Sequence, residues 1–369
     1  MMRPAMSWSS PPRPTTRRHW LRQAAAGAGV LTAPWPPAAR AAVDRPALRV
    51  GPGGDVPRLA DALRLARDGD TLQVLPGVYA GDVAVITQRQ LTIVGLGDEP
   101  PVFDADGRHA EGKAIWVLRD GDIRISNIAF RGCRVPSGNG AGIRFERGRL
   151  QLDRCRFTDN QMGLLTSNDE RAELLVQHCE FSHAPDNLGS LPHLLYVGRI
   201  ARLLLQDSRL HHGRVGHLLK CRARQALITG NWLDDGPQGR ASYEIDLPNG
   251  GQAEVTHNLI GQGPGTENPV MLCYGAEGDK QPHWPVNRLL VAHNRFVNRR
   301  PTDGVAVRVF ADRLPADAVV DSHDNQLLGG GALQLGPGGS SRNDAPGPLP
   351  AEPIPKLSQA SPPRAAAAS

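Results

Sequence analysis

The sequence LLLQDSRL at 203–210 recurs, with substitutions, along the middle of the chain, and this repeat decides the fold. Each copy closes on an apolar residue, and successive closing residues are 23 to 36 positions apart. A repeat of this length, with turn residues between short apolar runs, is typical of a solenoid. The other clear copies are LQLDRCRF at 150–157, LLVQHCEF at 174–181, ALITGNWL at 226–233, AEVTHNLI at 253–260 and LLVAHNRF at 289–296.

Each repeat is too short for a pair of helices, and it contains two or three strands of alternating polarity separated by Gly and Asn. This pattern predicts an all-β fold, a parallel β-helix whose coils stack ~4.8 Å apart. The position two residues before each closing apolar residue is expected to form a hydrogen-bonded ladder at a left-handed bend. The ladder column comprises Cys155, Cys179, Ser208, Asn231, Asn258, Asn294 and Asn325.

A short amphipathic segment at 59–69 precedes the repeats and predicts a helix that caps the first coil. It opens the pattern AL…AxxGDTLxVLPGVYxG…LTIVGLG. This pattern resembles the N-terminal cap and first coil of the pectin-lyase-like superfamily. The resemblance runs from Leu48 to Gly336 and implies a right-handed, single-stranded parallel β-helix domain over 42–336. It does not fix the activity, because such coils carry lyases, hydrolases, epimerases and adhesins.

The first 41 residues resemble a twin-arginine export signal. The run TRRHWLR at 16–22 precedes a short, mildly hydrophobic stretch and an A-x-A cleavage pattern at 39–41. We therefore expect a bacterial protein that is exported folded, to the periplasm or beyond, with its five cysteines as thiols. The final segment, 337–369, is rich in Pro, Ala, Gly and Ser and is predicted to be a disordered tail.

The net charge of +5 comes from the leader, which holds six arginines and no acid. Without the leader, 36 of the 42 basic residues remain, against 37 acidic residues, and the net charge is −1. This balance argues against a nucleic-acid partner. No apolar run approaches the ~20 residues that a membrane-spanning helix needs. The sequence therefore predicts a monomer without a membrane span.

A second strand in each repeat is predicted to carry the functional site. Strict alternation would place every other side chain on an outer face, as a charged and aromatic stripe suited to an acidic polysaccharide. The stripe comprises Arg144, Tyr196, Lys220, Arg222, Glu244, Asp246 and Arg308. Further substrate contacts are predicted at His217, Tyr243, Asn249, Glu267, Asn268, Tyr274 and Glu277.

The favoured function is a polysaccharide lyase that acts on uronate residues by β-elimination. This reaction needs a base to remove the proton beside the carboxylate and a cation to stabilise the resulting enolate. Lys220 or Arg222 would be the base, and the other of the two, or Arg144, would be the cation.

Two alternatives stay open. The first is an inverting glycoside hydrolase, because the Cα atoms of Glu244 and Asp246 would lie roughly 6.6 Å apart on one strand face. The second is a non-enzymatic protein that binds a glycan or a surface, with Tyr196, Tyr274 and Trp284 in contact with sugar rings.

No cofactor is predicted. The sequence contains no H-E-x-x-H motif, and the turn histidines His178, His257 and His293 are interpreted as wall residues rather than metal ligands. A Ca²⁺ ion held by acidic residues of the loops is left open.

Overall fold

The structure is a computed structural model. It describes residues 45–185, 192–266, 268–278, 281–339, 342–343 and 347–349. The predicted export signal lies outside the described residues, as does most of the predicted tail. Both assignments stay predictions.

Three parallel sheets wind the described residues into a β-solenoid of about ten turns, which confirms the predicted all-β coil. Sheet 1 has eleven strands among the described residues, and sheets 2 and 3 have ten each. Sheet 1 contains β1 Leu48–Val50, β2 Asp70–Val74, β5 Gln90–Gly95, β8 Asp122–Ser126, β11 Arg149–Asp153, β14 Glu173–Gln177, β17 Arg202–Gln206, β20 Gln225–Thr229, β23 Gln252–Thr256, β26 Arg288–Ala292 and β29 Val319–His323.

Sheets 2 and 3 complete each coil. Sheet 2 consists mostly of three-residue strands: β3 Val78–Ala80, β6 Val102–Asp104, β9 Ala129–Arg131, β12 Arg156–Thr158, β15 Glu180–Ser182, β18 Arg209–His211, β21 Trp232–Asp234, β24 Leu259–Gln262, β27 Arg295–Asn298 and β30 Gln326–Leu328. Sheet 3 contains β4 Ala84–Ile86, β7 Ala114–Leu118, β10 Ala141–Phe145, β13 Met162–Thr166, β16 His193–Val197, β19 His217–Cys221, β22 Tyr243–Leu247, β25 Val270–Tyr274, β28 Gly304–Val309 and β31 Gly331–Leu335.

The core is built from columns of like residues, because the parallel register places equivalent positions of successive coils directly above one another. Phe103, Phe130, Phe157 and Phe181 form one such column, with ring centroids 4.6 to 6.2 Å apart. All four are buried. Each coil thus buries its closing apolar residue against its neighbours, which is why the repeat is visible in the sequence.

The predicted capping helix is present as α1, Leu59–Leu65, and it packs against β1 and β4. Its first backbone amides, those of Leu59 and Ala60, donate to the carboxylate of Asp82 at 2.6 and 3.3 Å. The helix is shorter than predicted because Ala66 already has an extended backbone. No helix among the described residues is long and apolar enough to cross a membrane.

The predicted ladder is confirmed by its hydrogen bonds. The backbone amide of Ser208 donates to Asn231 Oδ1 at 2.9 Å, that of Asn231 to Asn258 Oδ1 at 2.9 Å, and that of Asn258 to Asn294 Oδ1 at 2.9 Å. The series continues from Asn294 to Asn325 at 3.0 Å. The ladder therefore ties successive coils at one corner, inside the protein.

The left-handed bend falls one residue earlier than predicted. The ladder residues themselves are not in the left-handed region. The residue before each of them is, with φ between 48° and 70°. These residues are Arg154, His178, Asp207, Gly230, His257, His293 and Asp324. The asparagines are therefore selected for hydrogen bonding and not for backbone conformation.

Replacing Asn258 by leucine should lower the free energy of unfolding by about 1–3 kcal/mol, because the buried partners of its amide would lose their hydrogen bonds. These partners include Ile228 O at 2.9 Å and Asn294 Oδ1 at 3.0 Å. Urea unfolding followed by circular dichroism would measure the change. Asn258→Ser is the matched control: Ser208 already serves in this column, so it should cost less. Equal stability of Asn258→Leu and wild type would contradict the ladder's contribution.

Candidate functional site

Sheet 3 carries the candidate site, but its side chains do not alternate strictly. In its central strands the first and fourth residues face outward, as His217 and Lys220 do in β19. The two residues between them, Leu218 and Leu219, both belong to the buried core. The same holds for β16, where Leu194 and Leu195 are core residues. Because two consecutive residues face inward, the alternation is broken in the first half of each strand, and the first and fourth residues point to the same side.

This shift makes the predicted outward placement of Glu244 wrong. Glu244 occupies the position of Leu218 in the coil before and of Met271 in the coil after, and it is fully buried. Neither carboxylate oxygen has a hydrogen-bond partner among the described residues. Burial, with the nearby carboxyl of Asp235, raises the pKa of Glu244 well above its usual value. Glu244 and Asp246 therefore do not share a face, and the inverting hydrolase loses its carboxylate pair.

Tyr274 is also placed in the interior, contrary to the prediction that it contacts substrate. Its side chain is fully buried, and its hydroxyl donates to the carbonyl oxygen of Gly251 at 2.5 Å. Burial raises the pKa of Tyr274. The side chain of Tyr274 faces inward because it is paired in register with Leu247, which is an inward-facing residue of β22.

A cluster of ionised groups occupies the outer face of β19 and β22. Lys220 Nζ donates to Asp246 Oδ2 at 2.7 Å and to Glu277 Oε1 at 2.8 Å. His217 Nε2 lies 3.2 Å from the same oxygen of Asp246. Burial would raise the pKa of Asp246, but His217 and Lys220 outweigh it and lower the pKa to about 2. The Asp246 carboxylate is therefore charged at neutral pH.

The charge on Lys220 is stabilised in the same cluster. Burial alone would lower its pKa, but Asp246 and Glu277 outweigh that effect and raise it. The side chain of Lys220 is only 10% exposed. Lys220 therefore keeps its positive charge and is a poor base.

Arg222 joins this cluster to an aromatic residue of the preceding coil. Its guanidinium donates to Tyr196 Oη at 3.1 Å, to Asn249 Oδ1 at 2.5 Å and to Glu277 Oε2 at 2.7 Å. Burial opposes the charge of Arg222, but Tyr196 and Glu277 outweigh it and raise the pKa. Tyr196, Arg222 and Lys220 therefore form one connected set, as the stripe predicted.

Asn249 has a structural part in this arrangement. It is fully buried, and its amide donates to the carbonyl oxygens of Glu277 and Gln281 at 2.8 and 2.7 Å. Asn249 thereby holds the loop that carries Glu277 against the cluster.

A depression of about 490 Å³ opens beside Tyr196 on the N-terminal side of the cluster. Arg144 lines it, and its Nε has no hydrogen-bond partner among the described residues. Burial lowers the pKa of Arg144. The other lining residues are Asn139, Met162, Leu165, Thr166, Ser167, Asn168, His193 and Tyr196.

His193 is a site residue that the sequence reasoning did not select. It occupies the outward column of His217 and Tyr243, and this register was the signal that could have identified it. Its Nδ1 accepts the backbone amide of His217 at 3.1 Å. Burial, with His217 nearby, lowers the pKa of His193 well below its usual value, so the ring is neutral. The accepted hydrogen bond assigns its proton to Nε2.

The remaining predicted contacts are more dispersed. Tyr243 is half-buried, and burial raises its pKa to about 12. Asn268 Oδ1 accepts the backbone amide of Val270 at 3.1 Å. Arg308 is exposed, two coils beyond Asp246, with its guanidinium 4.6 Å from the ring centre of Phe310. Glu267 lies outside the described residues. The groups of three potential metal ligands among the described residues lie elsewhere.

Two solved structures are similar to this chain, and the first of them shares its fold. The crystal structure of an alginate lyase from Paenibacillus sp. str. FPU-7 is similar, with a TM-score of 0.55 and 15% identity over 78% of this chain and 96% of that one. The GH136 lacto-N-biosidase from Eubacterium ramulus has a TM-score of 0.42 and 12% identity over 76% and 67% of the two chains. No family model and no curated protein sequence matches the chain.

Proposed function

We propose that this protein is an exported, pectin-lyase-like β-helix enzyme that binds an acidic polysaccharide along sheet 3 and cleaves it by β-elimination. The observation that carries the proposal is the position of the Tyr196 hydroxyl. It accepts a hydrogen bond from Arg222 and lies at the rim of the depression that Arg144 lines. The fold shared with a structure named as an alginate lyase supports the same class of substrate.

The two arginines fit the charge of a uronate residue. Arg144 lines the depression, and a guanidinium pairs with a carboxylate through charge-assisted hydrogen bonds. Neutralising that carboxylate makes the adjacent C5–H more acidic, because the enolate that forms no longer carries two full negative charges. Arg144 and Arg222 thus supply the cations that the reaction needs.

Tyr196 is the group best placed to move the proton. As its phenolate, Tyr196 would take the proton from C5. The electron pair of the C5–H bond then forms the C4=C5 double bond, and the C4–O bond breaks. The leaving glycosidic oxygen then takes a proton, from Tyr196 or from water, so that the step is redox-neutral. Arg222 donates a hydrogen bond to Tyr196 Oη at 3.1 Å, which holds this oxygen in place beside the depression.

These roles revise the sequence-based hypothesis. Lys220 and Arg222 both have raised pKa values and hold their charges, so neither is favoured as the base. Lys220 instead neutralises the buried carboxylate of Asp246, so that this negative charge does not repel an acidic substrate. His193, with its proton on Nε2, is a hydrogen-bond donor for sugar hydroxyls at the depression.

Incubation with a panel of acidic and neutral polysaccharides tests the proposal. A β-elimination leaves an unsaturated uronate, and we expect its ultraviolet absorbance to rise with one or more of the acidic polymers only. New reducing ends without that absorbance would indicate a hydrolase and contradict the mechanism. Retention of the polymer without cleavage would favour the binding protein.

Export has its own test. The double substitution Arg17→Lys with Arg18→Lys should leave full-length precursor in the cytoplasm, because the twin-arginine pair is the feature on which the predicted route depends. Fractionation and immunoblotting would measure this. Arg3→Lys with Arg13→Lys makes the same chemical change outside the pair and should be exported normally. Normal export of the first variant would overturn the assignment.

A further inference from the structure

Three histidines meet at the end of sheet 2, on adjacent coils. His211 closes β18 and is paired in register with Ser182 of β15. His183 and His212 directly follow these two strands. The rings of His183 and His212 stack with centroids 4.7 Å apart, and the ring of His211 lies 4.8 Å from His212 and 5.6 Å from His183. One nitrogen from each ring lies within 4.8 Å of the other two.

The backbone holds this arrangement in place. His183 and His212 have φ values of 55° and 54°, in the left-handed region that residues other than glycine seldom adopt. Because the same turn recurs in the next coil, the two side chains leave the solenoid in the same direction. The cluster is therefore a product of the repeat and does not depend on a single surface rotamer.

A carboxylate orients the buried member of the cluster. His211 is 7% exposed, and its Nε2 lies 2.9 Å from Glu180 Oε1. A charged carboxylate accepts the Nε2 proton and leaves the lone pair of Nδ1 free. A carboxylate that fixes the tautomer of an imidazole in this way is the usual support of a metal-ligating histidine.

The free lone pair meets another ring nitrogen. His211 Nδ1 and His212 Nδ1 are 2.6 Å apart, so a proton must lie between them when no other cation does. The close approach of these two nitrogens marks a place where a cation is held.

We propose that His183, His211 and His212 bind a divalent transition-metal ion such as Zn²⁺, and that the ion links two successive coils. Neutral imidazole is the ligand type that Zn²⁺, Ni²⁺ and Cu²⁺ favour. Tetrahedral coordination separates ligand nitrogens by about 3.3 Å, so His212 must move by less than 1 Å from His211. His183 and His212 are exposed, and this leaves the fourth position of the ion open to solvent.

The test is a Zn²⁺ titration of the untagged protein against a chromophoric chelator. The double variant His183→Asn with His212→Asn keeps residues that tolerate the left-handed conformation but lack imidazole. We expect one Zn²⁺ per chain in the wild type, and at least a 100-fold loss of affinity at that site in the double variant.

Two variants serve as controls. His178→Asn changes a turn histidine with φ of 53° outside the cluster and should bind Zn²⁺ within threefold of wild type. His293→Asn changes a second group, His293 with His323 and Asp324. Unchanged affinity in His183→Asn with His212→Asn, or loss of the ion in His293→Asn instead, would overturn the proposal.

A second measurement does not depend on the chelator. Because the ion would bind the folded coils and not the unfolded chain, Zn²⁺ should raise the Tm of the wild type. The rise should be absent from the double variant and intact in His178→Asn. Neither readout requires the protein to act on polysaccharide, so the metal site is tested separately from the proposed function.

Discussion

Replacement of Tyr196 by phenylalanine should lower kcat on the acidic polysaccharide at least ~100-fold, which is the usual scale for a missing acid–base group. The ring would keep its contact with His193, whose centroid is 5.6 Å away, so the free energy of unfolding should change by less than about 1 kcal/mol. KM should change little, because the guanidinium of Arg144 would still bind the uronate. Initial rates from the absorbance of the unsaturated product, with urea unfolding of the same samples, would measure both quantities.

Tyr79→Phe is the matched control for this variant. It also removes a tyrosine hydroxyl, one that donates to Val50 O at 3.0 Å near the capping helix, far along the solenoid from the depression. This variant should lose some stability and no turnover. If Tyr196→Phe kept more than a third of wild-type kcat, Tyr196 would not be the proton-transfer group.

Replacement of Glu244 by methionine should raise the free energy of unfolding at pH 8 by about 2 kcal/mol. A buried carboxyl without a hydrogen-bond partner costs roughly this much. Methionine fits the column, because Met271 occupies the equivalent position in the next coil. Urea unfolding at pH 4 and pH 8 would measure the gain.

The pH dependence identifies the cause of that gain. The pKa of Glu244 is raised in the folded state, so the unfolded chain ionises first as pH rises. The wild type therefore loses stability from about pH 4.3 up to the folded pKa, and the gain in Glu244→Met should be larger at pH 8 than at pH 4. Glu99→Met alters a glutamate whose side chain is 79% exposed and should stay within about 0.5 kcal/mol of wild type. An equal gain at both pH values would contradict the assignment.

The fold was predictable because every coil repeats the same requirements. An apolar residue must close the coil, and a small or amide side chain must satisfy the corner, so Phe157 and Asn258 each mark a column that sequence alone reveals. The left-handed residue beside the ladder was not identified, because His257, Asp207 and Gly230 share no side-chain property. Only the backbone turn unites them.

The site was predicted in part, and the wrong placement of Glu244 has a clear origin. Strict alternation was assumed in sheet 3, yet two consecutive residues of each central strand face inward. The doubled apolar pairs, such as Leu194 with Leu195, carried that signal. In β22 one member of this pair is Glu244, so the apolar pair is not visible in the sequence. The prediction therefore placed Glu244 on the wrong face. Lys220 and Asp246 lie in the second half of their strands, where alternation holds, and they were placed correctly.

The corner ladder also has a mechanical consequence. Its rungs join residues 23 to 36 positions apart, so each rung closes one loop of chain of that length. A pulling force applied at the last coil would break one rung with its three strand pairings and then meet an identical set below. Each rupture would release roughly 75–130 Å of extended chain. Under tension this protein would lengthen in nearly equal steps, one coil at a time.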